Sequence, residues 1–269
     1  MTTHLHSIAA GSASPQAGGF RRRLLAIAAT LACLGSAALA VDLPVARWFK
    51  GHRPPSEINR LLNLSEAFAH GTGVAVILLV AAVLDPSLTA LGRPTRGRGG
   101  MRSAGETTTA GEPMAESASA RGPLLRRLTA TDLFRLVAAA YAGGLVVDVI
   151  KAVVDRVRPR AADLHGTASA LATFGEQAAA WAREQAVTSA SDLNSFPSGH
   201  SATAAGLAAA LSWKYPRGAW AFAALAVCGA SQRVVSLAHY PSDACLGLAI
   251  GLAAAALLLG DRPGSTAAG

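Results

Sequence analysis

In this chain of 269 residues, 51% of the side chains are apolar and only 15% carry charge. The apolar residues come in blocks, which excludes the ordinary soluble globular class and reads as a polytopic membrane protein. A formal charge of +8 suggests a nucleic-acid partner at first sight, but the arginines cluster between apolar blocks, where anionic lipid headgroups account for them.

Residues 1–23 read as a polar tail that ends on Arg21-Arg22-Arg23. The first apolar block, Leu24–Val41, follows. Its basic flank and Ala38-Leu39-Ala40 imitate a secretory signal with a small-residue cleavage site. The run exceeds a usual signal core, so it is taken as an uncleaved span; cleavage would leave one span fewer. After Pro54-Pro55, the apolar Ile58, Leu61 and Leu62 fit one helical face leading into the second block, Phe68–Leu84. Residues 24–84 thus form two spans with an outer connector. His70, near the outer end of the second block, fits a residue lining the entry to a site but reads first as a satisfied interfacial histidine.

Residues 85–130, rich in Gly, Ser, Thr and Arg, carry too little apolar surface to fold and read as a flexible connector. The remaining blocks lie within 131–260: Leu133–Val154, His200–Trp213, Gly218–Ala238 and Ala244–Gly260. A hydrocarbon core about 30 Å thick needs roughly 17 to 25 helical residues, which all but the fourth block approach. That block must extend into its flanks or be buried by its neighbours. The prediction is an all-α bundle of about six spans, with Ala204-Ala205-Gly206 and Gly247 to Gly251 allowing close helix approach. Residues 261–269 form a short tail.

Lys and Arg counts set the orientation. Arg21 to Arg23, the connector arginines from Arg93 to Arg127, Lys214, Arg217 and Arg262 all fall on one side, expected to be cytoplasmic. The loop from 155 to 195 then lies outside. Within it Leu171, Phe174, Ala178 and Trp181 are spaced as one helical stripe, fitting either a lid or a helix packed on the bundle. Cys33, Cys228 and Cys245 fall in apolar runs without metal-ligand spacing and read as small core residues.

Three stretches carry chemistry: Lys151-x6-Arg158-Pro159, Phe196-Pro197-Ser198-Gly199-His200, and Arg233-x5-His239-x3-Asp243. Together they supply fixed cations, two histidines, a carboxylate and a glycine-flanked hydroxyl, which defines a phosphate site with its own nucleophile. Lysine acts as a point charge and arginine as a bidentate donor. Ser198 and Gly199 open a helix whose free N–H groups favour an anion; Ser198 fits a phosphate donor or a helix cap. Asp243, in the first turn of a helix begun by Pro241, is placed to hold one ring nitrogen of His239. Asp148, three residues before Lys151, reads as its ion-pair partner. Arg156 and Arg160 read as helix-end cations reaching for headgroups. No carboxylate cluster suits a metal, so neither a metal nor another cofactor is expected.

In order and spacing the three stretches resemble the signature of the type 2 phosphatidic acid phosphatase superfamily, with Gln232 standing where that family usually has serine. The resemblance covers roughly residues 130 to 260. It implies an integral-membrane phosphatase acting on a lipid phosphate or lipid diphosphate; a bacterial inner membrane is expected, and the arginine distribution turns the site outward. It also implies that His239 forms a phosphohistidine, that His200 protonates the leaving oxygen and then activates water, and that Lys151, Arg158, Ser198, Gly199 and Arg233 hold the phosphate. Two other readings fit the same residues. One is a vanadium haloperoxidase-like enzyme, which the spans oppose. The other is a silent binder of lipid phosphate, encouraged by Gln232. The substrate lipid and the oligomeric state are not legible.

Overall fold

The computed structural model describes residues 19–84, 130–184 and 189–260. The tail up to residue 18, the connector at 85–129, residues 185–188 and the tail at 261–269 lie outside the described residues, as do the expectations placed on them. The regular structure of the described residues is helical, with no strand longer than an isolated bridge. Among the described residues nine α-helices follow in order: α1 Gly19–Ala38, α2 Asp42–Gly51, α3 Ser56–Ala69, α4 Gly71–Leu84, α5 Ala130–Lys151, α6 Gly175–Glu184, α7 Gly199–Lys214, α8 Ala219–Val235 and α9 Pro241–Leu259. The protein is an all-α multi-pass membrane bundle.

Three stretches are long and apolar enough to cross a membrane on their own: Thr131–Lys151, Pro216–Val235 and Pro241–Leu259. The pairs α1–α2 and α3–α4 qualify as well if each is one broken span, bent by 73° and 72°. Among the described residues the count by length and composition is therefore three, or up to five, beside the six read from hydropathy. The missing one is α7. At 16 residues it is shorter than a bilayer core, and from Ser201 to Trp213 every residue is buried. Of the two solutions open to a short block, the structure uses burial by neighbours.

Small residues make this central position possible. A methyl group on Gly206 would run into the carbonyls of Ala139 and Ala140 in α5, and one on Gly251 of α9 into the carbonyl of Ala202 in α7. Backbone-to-backbone approach of this kind suits a medium where apolar burial gives helices no mutual preference. The outer helices keep their large apolar side chains outward, as with Leu79, Val149, Val227 and Leu257.

The two bends have different origins. The α1–α2 break is a turn at 39–41. The α3–α4 break needs glycine: a Cβ on Gly73 would collide with the Ala67 backbone. Helix α3 begins at Ser56 as expected, but Ile58 and Leu61 are exposed, and its packed residues are Ser65, Phe68 and Ala69. The stripe at 171–181 does not form one helix either. Ala170–Thr173 is a short 3-10 turn, and α6 starts only at Gly175, whose φ of 83° breaks the register. Ala182, fully buried, and Ala178 turn α6 onto a small apolar cluster with Leu43, Val157 and Leu164.

Candidate active site

The three motif stretches meet at one end of the bundle, around a cavity of about 280 Å³ whose wall includes Lys151, Arg158, Gly199, His200, Arg233 and His239. Lys151 is the last residue of α5. The chain then runs extended between two loop segments: Arg156 N–H donates to the Leu193 carbonyl at 2.8 Å, Val157 N–H to Thr173 at 2.9 Å and Arg158 N–H to Asp192 at 2.7 Å. Arg158 Nε is buried without a hydrogen-bond partner among the described residues. Such a donor is costly unless an acceptor arrives. Burial, and then the charge of Arg160, bring its guanidinium below the ordinary value.

The second stretch starts α7. Ser198 is fully buried and takes the capping role: its Oγ accepts from Ser201 N–H at 3.4 Å and from Ser201 Oγ at 2.9 Å. It lies beside the cavity rather than on its wall. A Cβ on Gly199 would point toward Lys151 Nζ, 3.9 Å away, and meets nothing closer than Val147 at 3.6 Å. The bare glycine thus leaves open the space in front of the lysine.

The five residues between Arg233 and His239 form a tight return. Ala238 and His239 N–H groups both donate to the Arg233 carbonyl at 3.1 Å, and Leu237 takes a positive φ of 55°. A left-handed leucine costs about 1–2 kcal/mol. The spacing of the motif therefore ties the His239 backbone directly to that of Arg233. Ser198 N–H donates to the Asp243 carbonyl at 3.0 Å, which joins the second stretch directly to the third.

His239 is 2% exposed, and its Nδ1 lies 2.6 Å from the Ser195 carbonyl. A carbonyl only accepts, so Nδ1 carries the proton and Nε2 keeps its lone pair. Burial, opposed by Asp243, pushes the imidazole below its ordinary value and favours the neutral ring. Asp243 is not the direct partner expected: its Oδ2 is 3.8 Å from Nδ1. That oxygen instead accepts from Ser195 Oγ at 2.6 Å and Tyr240 N–H at 2.9 Å. Ser195 thus stands between them, its carbonyl on the imidazole and its hydroxyl on the carboxylate.

Arg156 overturns the headgroup reading. It is 0% exposed. Its guanidinium donates to Asp243 and Ser242, to Asp42 at 2.6 Å and to Thr173 at 3.0 Å. It also lies 4.3 Å and 4.1 Å from the ring centres of Phe174 and Tyr240. Asp42, at the start of α2, further accepts from Ser242 N–H at 3.0 Å. An isolated charge at this depth would be prohibitive; one cation between two carboxylates and two rings is not. Arg160 likewise does not reach for headgroups but pairs with Asp192 at 2.7 Å. Asp148 faces the cavity with Lys151, and no ion pair between the two is found among the described residues.

Helix α3 supplies the rest. Arg233 donates to Glu66 at 2.9 Å and, through Nε, to Gln232 Oε1 at 2.6 Å; Gln232 Nε2 donates to Asn63 at 3.2 Å. Gln232 is therefore a working partner of the arginine beside it. His70, at the α3–α4 bend, lies on the cavity wall, its ring 5.5 Å from that of His200 at an interplanar angle of 63°. Neither Glu66 nor Asp42 has a spacing signal in the sequence; His70 was visible but read as interfacial. Among the described residues, no three His, Cys, Asp or Glu side chains gather in a way that could hold a metal ion.

A cavity lined by three cations and three imidazoles thus lies at one end of a bundle of apolar membrane helices. The PAP2 superfamily profile matches residues 132–266, and the chain belongs to that superfamily. Two curated relatives, from Rhizobium johnstonii and Rhizobium etli, are each named Lipid A 1-phosphatase and are each 35% identical over 108 residues. The match covers 40% of this chain and 38% and 40% of those relatives, so the chain spans about two-fifths of their length. No solved structure matches.

Proposed function

We propose that the protein is a metal-independent lipid phosphatase working through a phosphohistidine. The carrying observation is the cavity where Lys151, Arg158 and Arg233 converge on His239 and His200. Phosphoryl transfer needs positioned charge more than covalent machinery. The three cations take the nonbridging oxygens while Gly199 leaves them room. His239 Nε2 attacks phosphorus as the ester bond breaks, and His200 gives its proton to the departing alkoxide. His200 then takes a proton from water, the hydroxide displaces the histidine, and inorganic phosphate leaves. Asp243 acts on His239 through Ser195, stabilising the charge the ring gains on attack.

The substrate proposed is a lipid carrying a terminal phosphate, since the cavity opens among membrane helices. The names of the relatives put lipid A 1-phosphate first, ahead of phosphatidic acid, phosphatidylglycerophosphate and an isoprenoid diphosphate. The site is proposed to face outward from a bacterial inner membrane, following the arginine distribution. The test is phosphate release from this panel in detergent against a soluble phosphomonoester, with and without EDTA. Release from a lipid phosphate that survives EDTA and falls with vanadate supports the reading. Release restored only by a divalent metal, or none from any lipid phosphate, overturns it.

Because the attacking imidazole must be neutral and His239 lies below the ordinary histidine value near 6.5, its neutral form persists as pH falls. The acid limb of kcat/KM should therefore sit below that value. An acid limb above it would remove His239 as the group responsible.

A further inference from the structure

The motif residues leave one wall of the cavity unaccounted for: the α3–α4 bend at Ala69, His70 and Gly71. The bend is firmly built. His70 N–H donates to the Glu66 carbonyl at 2.8 Å, its own carbonyl accepts from Val74 N–H at 2.9 Å, and Tyr141 Oη donates to the Gly71 carbonyl at 2.6 Å, tying the bend to α5. The ring of His70 is placed as well, with Nδ1 2.9 Å from Thr72 Oγ1. Engagement of Nδ1 leaves Nε2 available to a ligand. The remaining fixed point is the edge-to-face contact with His200.

We propose that His70 touches the leaving portion of the substrate, the oxygen-bearing headgroup beyond the phosphate that is cut. This rests on the mechanism above. Displacement at phosphorus is roughly in line, so the nucleophile and the departing oxygen lie on opposite sides of the phosphorus atom. His239 defines the first side and His200 the second. A side chain that shares the cavity and lies against the His200 ring belongs to the leaving side. There it meets either hydroxyl groups of a sugar or glycerol head or, in a diphosphate, the outgoing phosphate. An imidazole serves both, since Nε2 donates or accepts according to its tautomer. His70 is thus a specificity-determining residue: it reads what the phosphate is attached to, which the cations do not.

The experiment uses the full chain with His239→Ala, which removes turnover, and measures the binding of lipid A in detergent micelles, phosphatidic acid and inorganic phosphate, with and without His70→Ala. Removing one hydrogen bond to the head should weaken binding of at least one lipid about tenfold, with inorganic phosphate changed less than about twofold. His70→Gln, which keeps a polar end, should recover part of the loss. Gel filtration and thermal unfolding in detergent should match the parent. Equal weakening of the lipid and of inorganic phosphate, or no weakening of either, overturns the assignment and leaves the lipid phosphatase reading standing. A parent that binds lipid in a His70-dependent way, in a protein whose wild type releases no phosphate, overturns the enzyme reading and keeps His70 as a headgroup contact. A parent that binds inorganic phosphate but neither lipid sinks both.

Discussion

The motif-bearing region from α5 to α9 and the region from α2 to α4 serve the cavity by different rules, the first lining most of it and the second backing its residues and closing one side. The first group presents the residues proposed to touch phosphate, at the ends of helices, with spacings set by the chain itself: the return from Arg233 to His239 and the capped start of α7. The second group presents no motif. It supplies Asp42 on Arg156 and Ser242, Glu66 and Asn63 behind Arg233 and Gln232, and His70 on the cavity wall. Local spacing fixes where a reacting group points. Charge balance and headgroup contact are satisfied by whatever helix packs alongside, at any separation in sequence.

The sharpest way to break this division is at the nucleophile. His239→Ala should lower kcat by at least about a thousandfold, because the covalent step has no substitute, while the protein still elutes as a folded species in detergent. Retention of near-normal phosphate release would mean that α5 to α9 do not hold the reacting group. His200→Ala should lose nearly as much on lipid phosphates and less on an ester with a good leaving group, where proton donation matters least.

The next largest effect tests the buried node that joins the two groups. Arg156→Ala leaves Asp42 and Asp243 facing each other without a cation, and should cost about 3–5 kcal/mol of stability. Thermal unfolding in detergent would show it. The paired variant with Asp42→Asn removes one of those charges and should recover part of the loss. Two variants that simply add would show that the node is not a unit.

Arg156 also shows what the sequence could not disclose. Arg156 and Arg158 are two residues apart in one loop, and both read as cations at a helix end. Arg158 carried a recognisable spacing to Lys151; Arg156 carried none, since its partners are 114 and 87 residues away. The same holds for Asp243, whose spacing to His239 suggested a direct bond, while the structure inserts Ser195 from a different stretch. Hydropathy located the apolar blocks. It could not say how the short fourth block is accommodated, and in the structure α7 is buried by its neighbours. The bend after α3 was hidden inside one continuous block, and Gly73 explains it only once the Ala67 carbonyl is seen against it.

The smallest effect bears on whether α3 tunes a residue of the core. Gln232 holds Arg233 Nε and is itself held by Asn63, whereas the family usually places serine there. A serine is too short to span the same pair, so in Gln232→Ser the guanidinium keeps Glu66 and gives up one neutral acceptor. A hydrogen bond from a charged donor is worth about 1.5–3 kcal/mol, and at the lower end of that range this amounts to a rise in KM of about tenfold with kcat nearly unchanged. The split matters because Arg233 is proposed to orient phosphate and not to carry a proton. A fall in kcat at constant KM would instead give Arg233 a role confined to the transition state. A gain in activity would show that glutamine restrains the arginine, moving the protein toward the silent lipid-phosphate binder that its departure from serine first suggested.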